Sequence, residues 1–249
     1  MPSSLKTAAA SIVSPVEKRL FAEYGALFAT TATPPPVLIF DDAMQVKAFQ
    51  SSLPLGRAFF GEHDIELQVD ALDTLSAAAS EMAQRGGGIT ARAADAGGRS
   101  YEDTVGLWTR NVTRGLEHWE RLGRVTPDRA DFLRGMALSE QVGAVLNLED
   151  AEQIFFGTFF DKSILYSVAA PGASQHLSML AFDVAEYEDR EVCEVLGEHG
   201  WHRTVPNDLP HFTYLGHHLD ALEAIGLQRV ERIYREQTYD FWTPDLERL

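Results

Sequence analysis

PGASQHLSMLAFDV, residues 171–184, joins a Pro-Gly turn to an apolar run that carries one acid, Asp183. Leu180–Val184 is short and apolar, so it is expected as a core strand. A carboxylate inside such a run is withdrawn from water and needs a partner, and a metal ion is the strongest one available. The turn ahead of it offers Ser174 and His176. A turn imidazole and a strand carboxylate that converge on one point suit a divalent ion such as zinc. The alternative is that Asp183 only ends its strand and caps a neighbouring turn.

The residues that follow bear on that choice. Asp189 to His199 reads as a helix stopped by Gly200, and WHRTV and HFTYLG, rich in aromatic and β-branched residues, read as strands. In NDLPHFTYLG, Asp208 stands three residues before His211 at the mouth of the second strand. At that spacing His211 can ligate a metal while Asp208 reaches the water beside it. Three protein ligands with one open position mark a catalytic rather than a structural zinc site. A carboxylate next to such a water can take its proton and return it to a leaving amine. The chain has 8 histidines, and five of them lie between His199 and His218. Close pairs such as His199/His202 and His217/His218 are therefore expected to be structural or on the surface.

Towards the N-terminus, Ser14-Pro15 predicts a capped helix with proline in its first turn. Thr30–Pro36 reads as a stiff connector and Val37–Phe40 as a short buried strand. Asp70 is expected to cap a helix ended by Gly86-Gly87-Gly88, and Ile89–Ala93 is expected as a strand. Ser100 with Asp103 forms the pattern of a capping box opening a helix through Arg121, and Thr126-Pro127 opens another. The expected class is α+β: a small antiparallel sheet carrying the zinc site, packed by helices, with an additional N-terminal helical layer. Residues 1–88 would form that layer and 89–249 the metallopeptidase-like core, together one compact unit.

With 249 residues the chain can bury a substantial core. Lys and Arg total 21 against 37 Asp and Glu, a net charge of −16 with no basic cluster to reverse it, which argues against a nucleic-acid partner. The one cysteine, Cys193, excludes an intramolecular disulfide and a cysteine-based metal site. It falls on the predicted helix, where a small core residue is the expectation. No apolar run reaches membrane-spanning length. The stretch MPSSLKTAAASIV is a poor leader, because its apolar part is brief and Ser14-Pro15 cuts it off.

These residues together resemble a known family, the zinc D-alanyl-D-alanine carboxypeptidases and dipeptidases of bacterial cell-wall metabolism and vancomycin resistance. That family carries S-x-H-x-x-G-x-A-x-D, a later E-x-W-H and an upstream S-G-Y-R-S loop. The counterparts here are Ser174-Gln-His176-Leu-Ser-Met179-Leu-Ala181-Phe-Asp183, Asp208-Leu-Pro210-His211 and Ala96-Gly-Gly-Arg99-Ser100-Tyr101. The resemblance runs from about residue 167 to 216, more loosely over 95–104, and does not extend into the first eighty or so residues. It implies zinc on His176, Asp183 and His211, Asp208 as general base, and Arg99 and Ser174 on the substrate, Arg99 binding its carboxylate or the developing oxyanion.

Three positions depart from the pattern: Asp208 stands for Glu, Pro210 for Trp and Met179 for Gly. The implied reaction is hydrolysis of D-Ala-D-Ala-type bonds in peptidoglycan precursors or stem peptides, so a periplasmic or otherwise exported location is expected if a leader was removed. A zinc-binding module of the same fold, impaired in catalysis and binding cell-wall peptides, is the alternative. Acyl transfer through Cys193 or a serine has no base at a suitable spacing.

Overall fold

The computed structural model describes residues 4–249, so residues 1–3 of the stretch read as a poor leader lie outside the described residues. Its centre is a three-stranded antiparallel sheet of β3 (Ala181–Asp183), β4 (Trp201–His202) and β5 (His211–Tyr214), in the order β3-β5-β4. A β-hairpin precedes it in sequence, β1 (Leu55–Phe60) and β2 (His63–Gln68), and another closes the chain, β6 (Leu227–Tyr234) and β7 (Gln237–Pro244). The helices are α1 (Ser4–Ala10), α2 (Pro15–Tyr24), α3 (Ala43–Ser51), α4 (Val69–Gln84), α5 (Tyr101–Arg121), α6 (Pro127–Arg134), α7 (Leu138–Glu152) and α8 (Arg190–Glu198). The class is α+β. Among the described residues, no helix is long and apolar enough to cross a membrane.

Local chemistry accounts for most helix starts. Ser14 and Ser100 close capping boxes with Glu17 and Asp103, and Thr126 and Asp189 cap α6 and α8. At α4 the expectation shifts: Gln68 is the residue before the helix and Asp70 lies inside its first turn, where a negative charge still favours the helix N-terminus. Gly86, at φ +87°, follows the end of α4 as expected.

Two short strands expected from the sequence do not form as such. Val37–Phe40 runs through bends, and its backbone tie to another segment among the described residues is Phe40 N–H to Gly172 O at 3.0 Å. The three prolines ahead of it lack the N–H groups a ladder needs. Ile89–Ala93 forms one isolated bridge, Ala91 opposite Val184 just past β3, flanked by the backbone bonds Arg92 N–H to Asp183 O and Ala185 N–H to Thr90 O.

The N-terminal region is not purely helical, because it contains the β1–β2 hairpin. That hairpin and α4 share their core with the central sheet: Phe60, Ile65 and Leu67 of the hairpin and Leu72 and Leu75 of α4 pack in one cluster with Leu180, Phe182, Trp201 and Phe212. A second cluster, around Trp108, Leu116, Val145 and Phe156, joins α2, α5, α6 and α7. The cavity described next lies between these two masses, walled by both.

Candidate metal centre

Asp183 and His211 are registered partners on β3 and β5, so their side chains leave the same face of the sheet side by side. His176 reaches them from the 3-10 turn Gln175–Ser178. The Nε2 atom of His176 is 3.4 Å from Asp183 Oδ1, and His211 Nδ1 is 3.1 Å from the same oxygen. The three potential ligand atoms lie within 4.8 Å of one another, and among the described residues no other such cluster occurs. A tetrahedral ion bound at about 2.0–2.1 Å separates its ligands by roughly 3.4 Å, so both nitrogen–oxygen spacings fall within a few tenths of an ångström of that geometry.

The far side of each imidazole decides where its protons are. His176 Nδ1 is 2.6 Å from Gly97 O, a carbonyl that can only accept, so Nδ1 carries a hydrogen. His211 Nε2 is 2.9 Å from Gln175 Oε1. The Gln175 amide is oriented by its Nε2, which donates to Tyr24 O at 2.8 Å, so its oxygen faces His211 and accepts. Each neutral ring therefore presents a lone pair, not a hydrogen, to Asp183. Without a cation, a hydrogen reaches Asp183 only if His176 becomes imidazolium or His211 takes its other tautomer at the expense of its bond to Gln175. Burial pushes His176 below its ordinary pKa, which opposes the first of these. At Asp183, burial pushes the carboxyl up, but positive charge and donated hydrogen bonds from the His176 and His211 side hold the group well below the usual carboxylate range, work that a bound cation would do if both rings are neutral. A carboxylate facing two lone pairs is a donor set for a metal ion.

The cluster sits on the wall of a cavity of about 280 Å³ that Ser174, Asp208, Arg99 and Arg92 also line. Asp208 keeps solvent contact, but its carboxyl is crowded by protein on the cavity wall. That burial raises its pKa, with the His211 side opposing and Asp183 reinforcing the shift. Ser174 precedes the His176 turn, and its hydroxyl makes no cap bond there. Arg99 Nη2 is 3.2 Å from Asp183 Oδ2 and 3.6 Å from Asp95, whereas its buried Nε has no partner. Arg99 thus braces a residue of the cluster as well as lining the cavity. The structure brings all six residues singled out in the sequence into one place.

Cys193 lies elsewhere, with its thiol 3.1 Å from Arg203, and burial raises its pKa. His199, His202 and His217 bond to Glu81, His217 O and Ala29 O, in structural roles.

Two residues of the site carried no sequence signal. Gln175 is flanked by motif positions but stands at a variable one, and Arg92 is an arginine before a loop with no pattern around it. Only the fold shows that Gln175 is 2% exposed beneath His211.

The backbone around His176 bears on one position where the chain differs from the pattern that it resembles. Met179 stands where that pattern has glycine, and it is in the left-handed region, φ +61°. The turn therefore keeps the shape a glycine would favour, at a cost to an L residue of roughly 1–2 kcal/mol. The Met179 side chain, 4% exposed, fills space against Gly98, where any Cβ would collide with its sulfur. Removing a buried methionine side chain costs about 2–5 kcal/mol, more than the strain it relieves. Met179→Gly is thus expected to destabilise the protein by about 1–3 kcal/mol in urea unfolding. A more stable variant would show that the strain dominates.

No family model, curated protein or solved structure matches the chain.

Proposed function

We propose that this chain is a zinc-dependent hydrolase of D-Ala-D-Ala-type peptide bonds in peptidoglycan precursors or stem peptides. The observation that carries the reading is the pair of imidazole lone pairs turned on Asp183, beside Asp208 in one small cavity. Zinc bound there supplies Lewis acidity, which activates water and polarises a carbonyl. The cavity volume, about 280 Å³, suits the end of a short peptide better than a folded chain.

The residues divide the work. Asp208, with its pKa raised, takes a proton from the attacking water and delivers it to the leaving amine nitrogen. Arg99 has two acids on Nη2, and among the described residues no bond is made by Nη1, which could take the substrate carboxylate or the developing oxyanion. Ser174 offers its hydroxyl from the same wall. Because such substrates lie outside the cytoplasmic membrane, export is part of this reading.

The test is hydrolysis of acetyl-Lys-D-Ala-D-Ala by protein of known metal content, with and without chelator. Chelator-sensitive release of D-Ala is expected. Metal-loaded protein that releases none but binds the peptide would favour the impaired binding module, a reading that the engagement of Arg99 by Asp183 also supports.

Arg99 gives a second test. Arg99→Ala is expected to lower kcat/KM by at least roughly tenfold with zinc retained, and Arg99→Lys to rescue it poorly, since an ammonium lacks the planar fork. An unchanged kcat/KM would confine Arg99 to bracing Asp183.

A further inference from the structure

The residue that prepares His211 for a metal belongs to no motif. Gln175 is buried under the sheet face, with its amide nitrogen committed to Tyr24 O at 2.8 Å. Its oxygen gathers His211 Nε2 at 2.9 Å, Thr204 Oγ1 at 3.0 Å and Thr213 Oγ1 at 2.5 Å. The two hydroxyls are themselves 2.7 Å apart, and with one hydrogen each they satisfy at most two of these three oxygen–oxygen contacts. The atom nearest His211 Nε2, the Gln175 oxygen, can only accept and so favours donation by this nitrogen, while Thr213 Oγ1, 3.5 Å away, can take either role. An imidazole has two neutral tautomers, and the other one would place a hydrogen on Nδ1, aimed at Asp183 Oδ1 3.1 Å away. That hydrogen bond would be satisfactory in itself and would close the position to a metal.

We propose that Gln175 is a positioning residue that holds His211 in the Nε2–H tautomer and thereby sets the affinity of the site for zinc. The inference rests on reading the cluster as a metal site, but not on the reaction performed there. Groups that orient a ligating histidine through its second nitrogen typically change metal affinity by about 10–100-fold when removed.

The experiment measures the zinc Kd by chelator competition and reads the His211 tautomer in metal-free, 15N-histidine-labelled protein by NMR. In the parent, Nε2–H is expected. Gln175→Met keeps the side-chain length but offers no acceptor oxygen. It is expected to weaken zinc binding by about 10–100-fold and shift His211 towards Nδ1–H. Gln175→Glu keeps an acceptor on the same stem and is expected to restore the tautomer and most of the affinity.

Should Gln175→Met fail to fold, the parent spectrum and Gln175→Glu still decide. A parent His211 that is Nδ1–H or doubly protonated at neutral pH overturns the proposal, as does a folded Gln175→Met with parental zinc affinity. A parent that binds no zinc overturns it together with the hydrolase reading. A parent that binds zinc with the expected tautomer but cleaves no peptide overturns the hydrolase reading alone.

Discussion

His176→Ala is expected to abolish stoichiometric zinc binding. The parent should carry about one zinc per chain, held by two nitrogens and one carboxylate oxygen. The His176 ring is fully enclosed, and its Nδ1 is already committed to Gly97 O, so Nε2 has no other work than to face Asp183. Removing one of three ligands should cost on the order of 3 kcal/mol of metal binding, about a hundredfold or more in Kd. His202→Ala is the control, because His202 lies in the same histidine-rich region but bonds to His217 O rather than to the cluster. Elemental analysis after dialysis should show metal in the parent and in His202→Ala, and none in His176→Ala. Full zinc content in His176→Ala would place the metal elsewhere in the chain.

The cluster was legible in sequence because each member stands in a strong local context. Asp183 is the lone acid of an apolar strand, and His211 opens a strand of four buried residues. Their registry could not be read, since it depends on how β3 meets β5, a contact across nearly thirty positions. The capped helices were legible for a similar local reason, as Ser14, Ser100, Thr126 and Asp189 each act within three residues of themselves.

The two hairpins were not legible. The β6–β7 turn places Arg235 and Glu236 at φ +47° and +67°, positions where Asn or Gly gives the usual signal. In β1–β2 the alternation is partial, with Phe59 exposed and Phe60 buried next to each other and charged residues between the apolar ones. The hairpin shares a core with the central sheet, a contact that local sequence does not show. In the structure, Gln68 at its end donates to Ser178 O at 2.8 Å and receives no cap role, so it props the turn that presents His176.

Asp208→Asn is expected to lower kcat by roughly a hundredfold or more while zinc stays bound, a loss of about 2.7 kcal/mol in transition-state stabilisation. The amide keeps the shape of the carboxylate but cannot accept the proton. Asp208 is not a member of the metal cluster, so its loss should leave metal content unchanged. The pH profile supplies a second readout. A base works only when deprotonated, so parental kcat/KM falls as pH drops through the Asp208 pKa. Because burial raises that pKa, the acid limb should lie at higher pH than an ordinary aspartate would give. Metal content must be followed across the same range, since protonation of the histidines would release zinc and mimic the limb.

Asp208→Glu tests reach. The chain turns at Asp208, whose carbonyl accepts from His211 N–H at 3.2 Å, so the position of its backbone is tied to a member of the cluster. If Asp is a methylene too short, Glu raises the rate. If the backbone has moved in to suit Asp, Glu crowds the water and lowers it. Either change keeps this residue at the reaction. Full activity in Asp208→Asn would remove it, and Glu198 would not replace it, because that acid lies outside the cavity and pairs with Arg85 at 3.8 Å.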